Sequence, residues 1–381
     1  MNTPCDTSDL LVFSHLRWDQ NLKRPHHIIS RYAKHRRVFY IEEPLQSEIQ
    51  SAYFHSEQSH EGATIIVPYL PFGLSEASSN EIVAMLLSDF IQQEEILGFV
   101  VLYHTPKAFK YTSHLKPASI LFDYLDTHFS ISDKELMDRA QIIFTCGMTL
   151  FETKKDSRTN LFQYSPSIDY DHFYQGRRSL KDPADQASIP YPRIGLYGDS
   201  YHCNESLVIK MAQLRPEFQF VLLIDKNKVQ IISELANIHY LGEKDYYSLP
   251  AYFSGWDCGF LPYSLNEETR FISLFQIPEL LASATPVVAT SLPDAVHLYS
   301  EKHLIHIADH PEHFVLSIEK AINDSTYDTE WLEKVDEYLV EVSWDATFQM
   351  MSEIELKFKE LKSSNRISAY EDESLMAIGI V

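Results

Sequence analysis

The sequence predicts an α/β protein with two doubly wound, mostly parallel sheets in consecutive domains. Two observations support this class. The chain is longer than one hydrophobic core usually sustains, and short apolar runs recur with enough sequence between most of them for a helix. With 381 residues, of which 45% are hydrophobic, the chain has enough apolar material for two buried cores.

Runs rich in β-branched and aromatic residues are the strand candidates of the first half. Most of them do not alternate polar with apolar positions, which is typical of strands covered on both faces of a parallel sheet. They lie at 10–14, 37–42, 63–68, 98–104, 118–124, 141–145 and 160–164.

A polar, proline-punctuated segment at 174–192 has no periodic apolar face, so we predict that it is the interdomain linker. After this segment, short apolar runs again alternate with stretches long enough for a helix. Helices are predicted at 204–214 and after about Tyr338. Second-half strands are predicted at 193–197, 218–224, 238–241, 257–261, 286–290 and 303–307. The predicted domains are 1–180 and 190–340, followed by a helix and tail at 341–381 that could cross back to the first domain.

The charge balance limits the surfaces that this protein can bind. With 54 acidic and 32 basic residues, the formal net charge is −22, which repels the phosphates of nucleic acids and anionic membranes. Neither is expected as a partner over a broad surface. A local pocket of backbone N–H groups and one or two cations can still bind a phosphorylated small molecule.

Cysteine use and the N-terminal sequence predict a cytoplasmic protein. Four cysteines lie far apart and have no metal-ligand spacing with the 17 histidines, so neither a disulfide framework nor a metal site is expected. The first ten residues lack the basic and apolar regions of a signal peptide. No apolar run approaches the length of about 20 residues that a membrane span requires, so stable membrane insertion is not expected.

Polar residues stand where the predicted strands end. Since ligands bind at the carboxyl ends of strands in doubly wound folds, these positions are the candidate site. The first half has His15, His104, Asp123 and Asp126 there, and the second half has Gly198, Lys226 and, past a loop, Glu279.

Five segments carry a family resemblance: 13–44 (beginning FSHLRWDQNLKRPHH), 102–130, 144–155, 255–273 (GWDCGFLPYSLNEETRFIS) and 277–290 (IPELLASATPVVAT). They resemble bacterial GT-B glycosyltransferases of the group-1 type, over roughly residues 10 to 310. The resemblance implies two Rossmann-like domains facing across a cleft. It also implies a nucleotide-diphosphate-sugar donor in the C-terminal domain, a saccharide or lipid-linked acceptor in the N-terminal domain, a role in polysaccharide biosynthesis, and neither a cofactor nor an obligatory metal.

On the donor side, the resemblance implies that Glu279 binds the ribose hydroxyls. A carboxylate can accept two hydrogen bonds from a vicinal diol. Since proline is favoured at the start of a helix, we predict that Glu279, after Pro278, opens a helix at Glu279–Ser283. The alternative is that Glu279 only stabilises the dipole of its own helix.

Arg270 and Lys226 are the candidate cations for the diphosphate, although either could be an ordinary solvated surface residue. Gly198 suits a turn whose backbone closely approaches the phosphates. Ser273 is assigned to the donor side by the resemblance.

On the acceptor side, glycosyl transfer needs a base for the acceptor hydroxyl. Asp126 is the preferred candidate and Asp123 the second, although an aspartate here could instead cap the next helix. His15 and His104 are alternative bases or acceptor ligands, or structural histidines.

The resemblance also implies that Trp18 and Arg24 shape the acceptor side. Trp18 could stack on a sugar face, but core packing is the ordinary role of a tryptophan.

The sequence departs from the family at several positions. Gln276 stands where relatives commonly have a lysine, Ala284 replaces a glycine, and Phe271 occupies the position of the first glutamate in the paired EX7E motif. Because a missing cation removes leaving-group stabilisation, a non-catalytic nucleotide-binding or regulatory partner protein remains an alternative, as does a sugar-nucleotide epimerase. Whether the reaction would invert or retain stereochemistry stays open.

Overall fold

The computed structural model describes residues 5–19, 24–124, 131–198, 201–228, 235–325 and 329–363. These residues form two compact units. The first unit lies within Met1–Cys146, Phe151–Tyr164 and Trp344–Val381, and the second comprises Gly147–Leu150 and Ser165–Ser343. The chain therefore passes into the second unit about ten residues before the predicted linker. Residues 364–381 of the predicted tail lie outside the described part.

The first unit is built on one large sheet. Its strands are β1 (Asp9–Ser14), β2 (Val38–Glu42), β3 (Leu45–Ser47), β4 (Tyr53–Gln58), β5 (Thr64–Pro71), β6 (Phe99–Tyr103), β7 (Ser119–Tyr124), β8 (Ile142–Cys146) and β9 (Leu161–Tyr164). Among the described residues, the order is β3-β5-β2-β1-β6-β7-β8-β9, with β4 on the outer side of β5. All neighbours are parallel except β4 and β5.

All seven strands predicted in the first half are present. Strands β2, β6, β7 and β8 are buried along their whole length, which explains why their sequences do not alternate. The sequence reading missed β3 and β4. Strand β4 is mostly exposed, so its polar sequence has no apolar pattern to recognise.

The second unit is built on a smaller parallel sheet. Its strands are β10 (Arg193–Tyr197), β11 (Gln219–Leu223), β12 (Ile238–Tyr240), β13 (Cys258–Leu261), β14 (Val287–Ala289) and β15 (His306–Ile307). In the described part of this unit, the order is β12-β11-β10-β13-β14-β15. Strand β15 is shorter than predicted because His303 has a φ of +59°, which places it in a turn.

Most helices lie between strands along the chain, and three follow the last described strand, β15. They are α1 (Arg24–Tyr32), α2 (Glu76–Gln93), α3 (Phe109–Thr112), α4 (Ile131–Arg139), α5 (Met148–Lys154), α6 (Tyr170–Tyr174), α7 (Glu205–Leu214), α8 (Leu249–Phe253), α9 (Gln276–Ala282), α10 (Pro293–Ala295), α11 (Pro311–Ser325), α12 (Thr329–Glu341) and α13 (Trp344–Ser363). Helix α13 packs in the first unit, where Glu355 forms a buried ion pair with Arg36 (2.7 Å). None of the helices that the structure describes has both the length and the apolar composition needed to cross a bilayer.

The predicted linker at 174–192 is part of the second unit, because its polar residues make specific buried contacts. Arg193 is 1% exposed, and its guanidinium binds Asp182 (2.7 Å) and the carbonyl of Ile189 (2.6 Å). Gln186 accepts a hydrogen bond from the indole N–H of Trp256 (2.8 Å). The segment has no periodic apolar face because hydrogen bonds, rather than apolar packing, hold it.

Helix α9 ends in a Schellman turn with an unusual residue. The N–H of Thr285 bonds to the carbonyl of Leu280 (3.0 Å), and the N–H of Ala284 bonds to that of Leu281 (2.9 Å). This motif requires a left-handed residue after the helix, which is usually glycine. Here that residue is Ala284, with a φ of +58°, so the backbone keeps the conformation although the glycine is absent.

We expect Ala284→Gly to raise the free energy of unfolding by about 1 kcal/mol, because glycine adopts the left-handed conformation without the steric cost of a Cβ atom. Ala282→Gly, inside the same helix, is the matched control and should lower it by about 1 kcal/mol. Denaturant unfolding of both variants measures the two effects. A loss of stability in Ala284→Gly would contradict this account of the turn.

Candidate functional site

The carboxyl edge of the second sheet brings Gly198 against helix α9. Gly198 follows β10 with a φ of +97°, a conformation that favours glycine. A Cβ atom at this position would lie 2.8 Å from Nε2 of Gln276, the first residue of α9. The same Nε2 donates a 2.9 Å hydrogen bond to the hydroxyl of Tyr263, just after β13. The topology therefore assembles these three residues at one edge.

Gln276 has an unsatisfied buried acceptor. The residue is 1% exposed, and among the described residues its Oε1 has no hydrogen-bond partner. A buried acceptor in this state costs about 1–3 kcal/mol, so such groups persist mainly where a ligand, an ordered water or another function explains them. This oxygen is the strongest structural sign of a binding site at the edge.

Glu279 lies one helical turn after Gln276 and is also buried, at 9% exposed. Burial raises the pKa of its carboxyl well above the ordinary value, and the carboxylate of Asp169 raises this pKa further. No side chain or backbone group in the described part of the chain donates a hydrogen bond to it. Among the described residues, the carboxyl group therefore lacks partners that would stabilise its charge.

The predicted start of the helix Glu279–Ser283 is wrong. Helix α9 begins at Gln276, so Pro278 is the third residue and Glu279 the fourth. The first four N–H groups of a helix have no intrahelical acceptor, so a proline within this turn removes no helical hydrogen bond.

The C-terminal end of α9 is held by Arg177. Its Nε donates to the carbonyl of Ala282 (2.7 Å), and its guanidinium forms a bidentate ion pair with Asp336 of α12. Ser283 adds a hydrogen bond to the carbonyl of Phe173 (3.0 Å). These contacts fix the helix that carries Gln276 and Glu279. A positive group at a helix C-terminus also interacts favourably with the helix dipole.

The two candidate cations lie on the surface. Lys226 is exposed after β11, with its ammonium 5.5 Å from the ring centroid of Tyr240. The side chain of Arg270 is 47% exposed and lies 3.9 Å from Glu267. Within the described residues, neither cation forms a hydrogen bond or an ion pair with Gly198 or α9.

Ser273, the remaining donor-side candidate, is half-buried in the segment that leads into α9. The roles of these three residues therefore stay predictions.

A polar pocket of about 230 Å³ opens beside this edge, at the start of α7. Its charged lining residues are Glu205 and Glu268, and no lysine or arginine belongs to the described lining. The pocket suits hydroxyl groups, which donate to carboxylates, better than it suits phosphates. Its other lining residues are Tyr201, His202, Cys203, Asn204, Ser206, Ser264 and Asn266.

The carboxyl edge of the first sheet brings together His104 and Asp123, after β6 and near the end of β7. Nε2 of His104 lies 3.7 Å from Oδ2 of Asp123, and Oδ1 of Asp123 accepts a 2.9 Å hydrogen bond from the hydroxyl of Tyr164. All three residues are buried. His15 is half-buried after the adjacent strand β1. Asp126, the preferred base, lies outside the described residues.

Trp18 packs against its neighbours in the first unit. Its ring centroid lies 4.7 Å from that of His26 and 4.9 Å from that of Tyr40, so core packing accounts for its position. The backbone N–H of Trp18 donates to Glu42 (2.7 Å), which also pairs with Arg17 (2.5 Å). Arg24 begins α1, and its side chain lies outside the described part of the structure.

Three residues that organise these edges were not among the predicted site residues: Glu42, Tyr164 and Arg177. Glu42 and Tyr164 are the last residues of β2 and β9, so the rule that selected His104 and Asp123 would have found them. Arg177 lies in the predicted linker and had no comparable signal.

The described residues contain no group of three or more His, Cys, Asp or Glu side chains placed to hold a metal ion.

The chain resembles solved glycosyltransferase structures over nearly its whole length. Neither a protein-family model nor a curated protein sequence matches it. Sucrose-phosphate synthase from Thermosynechococcus elongatus is 12% identical with a TM-score of 0.68, covering 94% of this chain and 100% of that one. The catalytic domain of starch synthase IV from Arabidopsis thaliana, bound to ADP and acarbose, is 11% identical with a TM-score of 0.62, covering 92% and 99%.

An E. coli structure described as trehalose-6-phosphate bound with UDP-2-fluoro glucose is 12% identical with a TM-score of 0.61, covering 93% of this chain and 99% of that one. At such identities the likeness establishes the fold. The chain has the GT-B fold of nucleotide-sugar glycosyltransferases, which confirms the predicted fold class.

We expect Glu279→Gln to stabilise the free protein, and to do so more at pH 8 than at pH 5. The folded pKa of Glu279 is raised above the ordinary value of 4.5. The wild type therefore has its full stability at pH values below the ordinary pKa of the carboxyl group. Its stability falls as the pH rises from the ordinary pKa towards the folded-state pKa. The loss is about 1.4 kcal/mol for each unit between the two pKa values. Glutamine carries no charge and avoids this loss.

Urea denaturation at the two pH values measures the effect, with Glu81→Gln on the exposed face of α2 as the matched control. An equal effect of Glu279→Gln at both pH values would show that Glu279 is not a buried acid with a raised pKa.

Proposed function

We propose that the protein transfers a glycosyl group from a nucleotide-diphosphate sugar to an acceptor hydroxyl, without a metal. The donor binds at the carboxyl edge of the second sheet. The acceptor is a saccharide or a lipid-linked sugar, bound by the first unit, and the product belongs to polysaccharide biosynthesis.

One observation carries the proposal: a GT-B fold whose second sheet presents Gly198, an unsatisfied Gln276 and a buried Glu279 at one edge. Two of the similar structures are described with nucleotide ligands, ADP in one and UDP-2-fluoro glucose in the other. The Oε1 of Gln276 and the carboxyl of Glu279 lack hydrogen-bond donors among the described residues, and they have an evident use if a ribose diol pairs with them.

The residues of each unit suit one part of the reaction. Glycosyl transfer builds positive charge at the sugar carbon and negative charge on the leaving diphosphate, while a base removes the acceptor proton. Glu279 would orient the nucleoside, and Gly198 would let the backbone approach the diphosphate. Lys226 and Arg270 would contribute positive charge from the surface. Asp123 or Asp126 would take the acceptor proton, with His15 and His104 as further candidates.

A second function, nucleotide binding without transfer, is favoured by one observation. The position where the resemblance implies a cation carries the neutral Gln276, and that side chain is buried against Gly198. Loss of a positive group beside a leaving group commonly costs several kcal/mol of transition-state stabilisation. A regulatory partner protein without this positive group would still bind the nucleotide but would not catalyse transfer.

We expect nucleoside diphosphates to raise the melting temperature of the wild type, and Glu279→Ala to abolish this rise because alanine cannot accept hydrogen bonds from the ribose hydroxyls. Thermal unfolding with a panel of nucleoside diphosphates measures the shift, and Glu81→Ala serves as the matched control. Unchanged nucleotide stabilisation in Glu279→Ala would refute the assigned donor edge.

Slow release of sugar from the donor, measured with a metal chelator present, separates the two functions. A transferase hydrolyses the donor slowly, whereas a non-catalytic binder shows the thermal shift without turnover. Interconversion of the donor sugar with no acceptor present would instead identify an epimerase.

We expect Asp123→Asn or Asp126→Asn, whichever removes the base, to lower kcat about 100-fold or more with little change in donor KM. In Asp123→Asn the new amide oxygen can still accept the hydrogen bond from Tyr164, so the buried cluster should remain folded. Steady-state kinetics of both variants, with near-ultraviolet circular dichroism as a check of folding, makes the comparison. Full activity in both variants would remove the aspartates from the mechanism.

A further inference from the structure

A second pocket of about 460 Å³ lies in the second unit, away from the edge described above. This volume is within the range of about 300–1,000 Å³ typical of small-molecule sites. It is bounded by the amino ends of β14 and β15, the second half of α11 and the start of α12. Its lining residues are Pro286, Val287, Ser300, His303, Leu304, Ile305, His306, Ile307, Lys320, Ala321, Asp324 and Trp331.

The pocket is separate from the candidate donor edge because it lies at the opposite ends of parallel strands. Pro286 immediately precedes β14, and His306 is the first residue of β15. Gly198 and Tyr263 instead follow the carboxyl ends of their strands. An occupant of this pocket would therefore not compete directly with a ligand at the other edge.

The charged lining groups are available to a ligand. Lys320 and Asp324 stand one turn apart on α11, and within the described residues neither forms a hydrogen bond or an ion pair. Both line the same pocket as His306, and both act electrostatically on that imidazole. His303 adds a second imidazole from the preceding turn.

The remaining lining suits a small carbon skeleton. Trp331 is half-buried, and its indole N–H donates to the carbonyl of Leu304 (3.1 Å), which fixes one wall of the pocket. The hydroxyl of Ser300 and the carboxylate of Asp324 can pair with ligand hydroxyls. Val287 and Ile305 provide apolar contact.

The backbone around the pocket departs from regular structure in two places. A π-helical turn spans Val296–Ser300, and His303 has a φ of +59°. Such turns are rare and occur often at functional sites, and a non-glycine residue in the left-handed region carries a cost that native structures keep mostly where it is useful. Both features shape the rim from which Ser300 and His303 enter the lining.

We propose that this pocket binds a small organic anion, a phosphate or carboxylate on a hydroxylated skeleton, held by Lys320 and the two imidazoles. The ammonium and imidazole groups supply charge-assisted donors for the anion. Asp324 and Ser300 select hydroxyl groups, and Trp331 with its apolar neighbours contacts the carbon atoms. The proposal does not depend on glycosyl transfer.

Anion binding in this pocket is coupled to the protonation of His306. In the free protein, burial lowers the pKa of His306, the ammonium of Lys320 lowers it further, and Asp324 partly opposes them. A bound anion favours the imidazolium, so binding takes up a proton. Affinity therefore rises as the pH falls from 8 to 6.

Isothermal titration calorimetry of the full chain tests the proposal with inorganic phosphate, glycerol 3-phosphate, citrate and uncharged glycerol. We expect saturable binding of at least one organic anion, with glycerol giving none. Tighter binding of glycerol 3-phosphate identifies a phosphate site, and tighter binding of citrate identifies a carboxylate site. Lys320→Ala should weaken binding about tenfold or more, whereas Lys210→Ala on the exposed face of α7 should not.

His306→Gln should reduce the rise in affinity and the proton uptake between pH 8 and pH 6, and the proton uptake of each protein can be read directly by titrating in buffers of different ionisation enthalpy. Since Lys320 is exposed, its variant should fold normally. The proposal is overturned if neither organic anion binds saturably at millimolar concentration. Binding that Lys320→Ala leaves unchanged would also overturn it.

Discussion

The candidate donor edge depends on the burial of helix α9. All seven residues of this helix are buried, a situation in which a helix is normally apolar on every side. Two of its residues, Gln276 and Glu279, are nevertheless polar. Tyr263 binds the amide at one end, and Arg177 binds the last carbonyl at the other. The protein can present two polar groups at this edge because the helix that carries them is held at both ends.

This arrangement lowers stability in the free protein. A buried acceptor without a donor and a buried acid without a counter-charge are both unfavourable. Their cost is offset elsewhere, by a fully buried strand such as β10 and by the ion pair between Arg177 and Asp336. Unsatisfied polar groups within an otherwise well-packed unit are typical of sites that a ligand completes. At such sites the free protein is less stable than the same fold would be with fully hydrogen-bonded or apolar residues.

The sequence alone was sufficient to predict the site positions that follow from the sheet topology. Parallel sheets place the carboxyl ends of their strands at one edge. The strand pattern was therefore enough to select His104, Asp123 and Gly198 as candidate site residues. The limits lie where a residue's role depends on distant partners. Arg177 stands in a polar segment without periodicity, and its function requires a carbonyl 105 residues further along the chain.

Local backbone conformation also could not be predicted from the sequence pattern. Ala284 departs from the glycine that the family resemblance implies, yet its φ of +58° shows that the turn itself is kept. The exposed edge strand β4 was missed because it buries too little surface to impose alternation. The helix was predicted to open next to Pro278, at Glu279, although the first turn of a helix tolerates proline at several positions.

The neutral Gln276 and the raised pKa of Glu279 have a common electrostatic explanation. The causes of that raised pKa are burial and the carboxylate of Asp169, and no cation in the described part of the chain opposes them. A lysine at position 276, as the resemblance implies, would favour the ionised carboxylate one helical turn away. With glutamine there, that favourable interaction is absent, so the neutral amide at position 276 and the raised pKa of Glu279 are two results of the same departure. A neutral carboxyl can still accept a hydrogen bond from a ribose hydroxyl and can donate one. The protonated form also does not repel a diphosphate, so a raised pKa at this position partly offsets the missing cation.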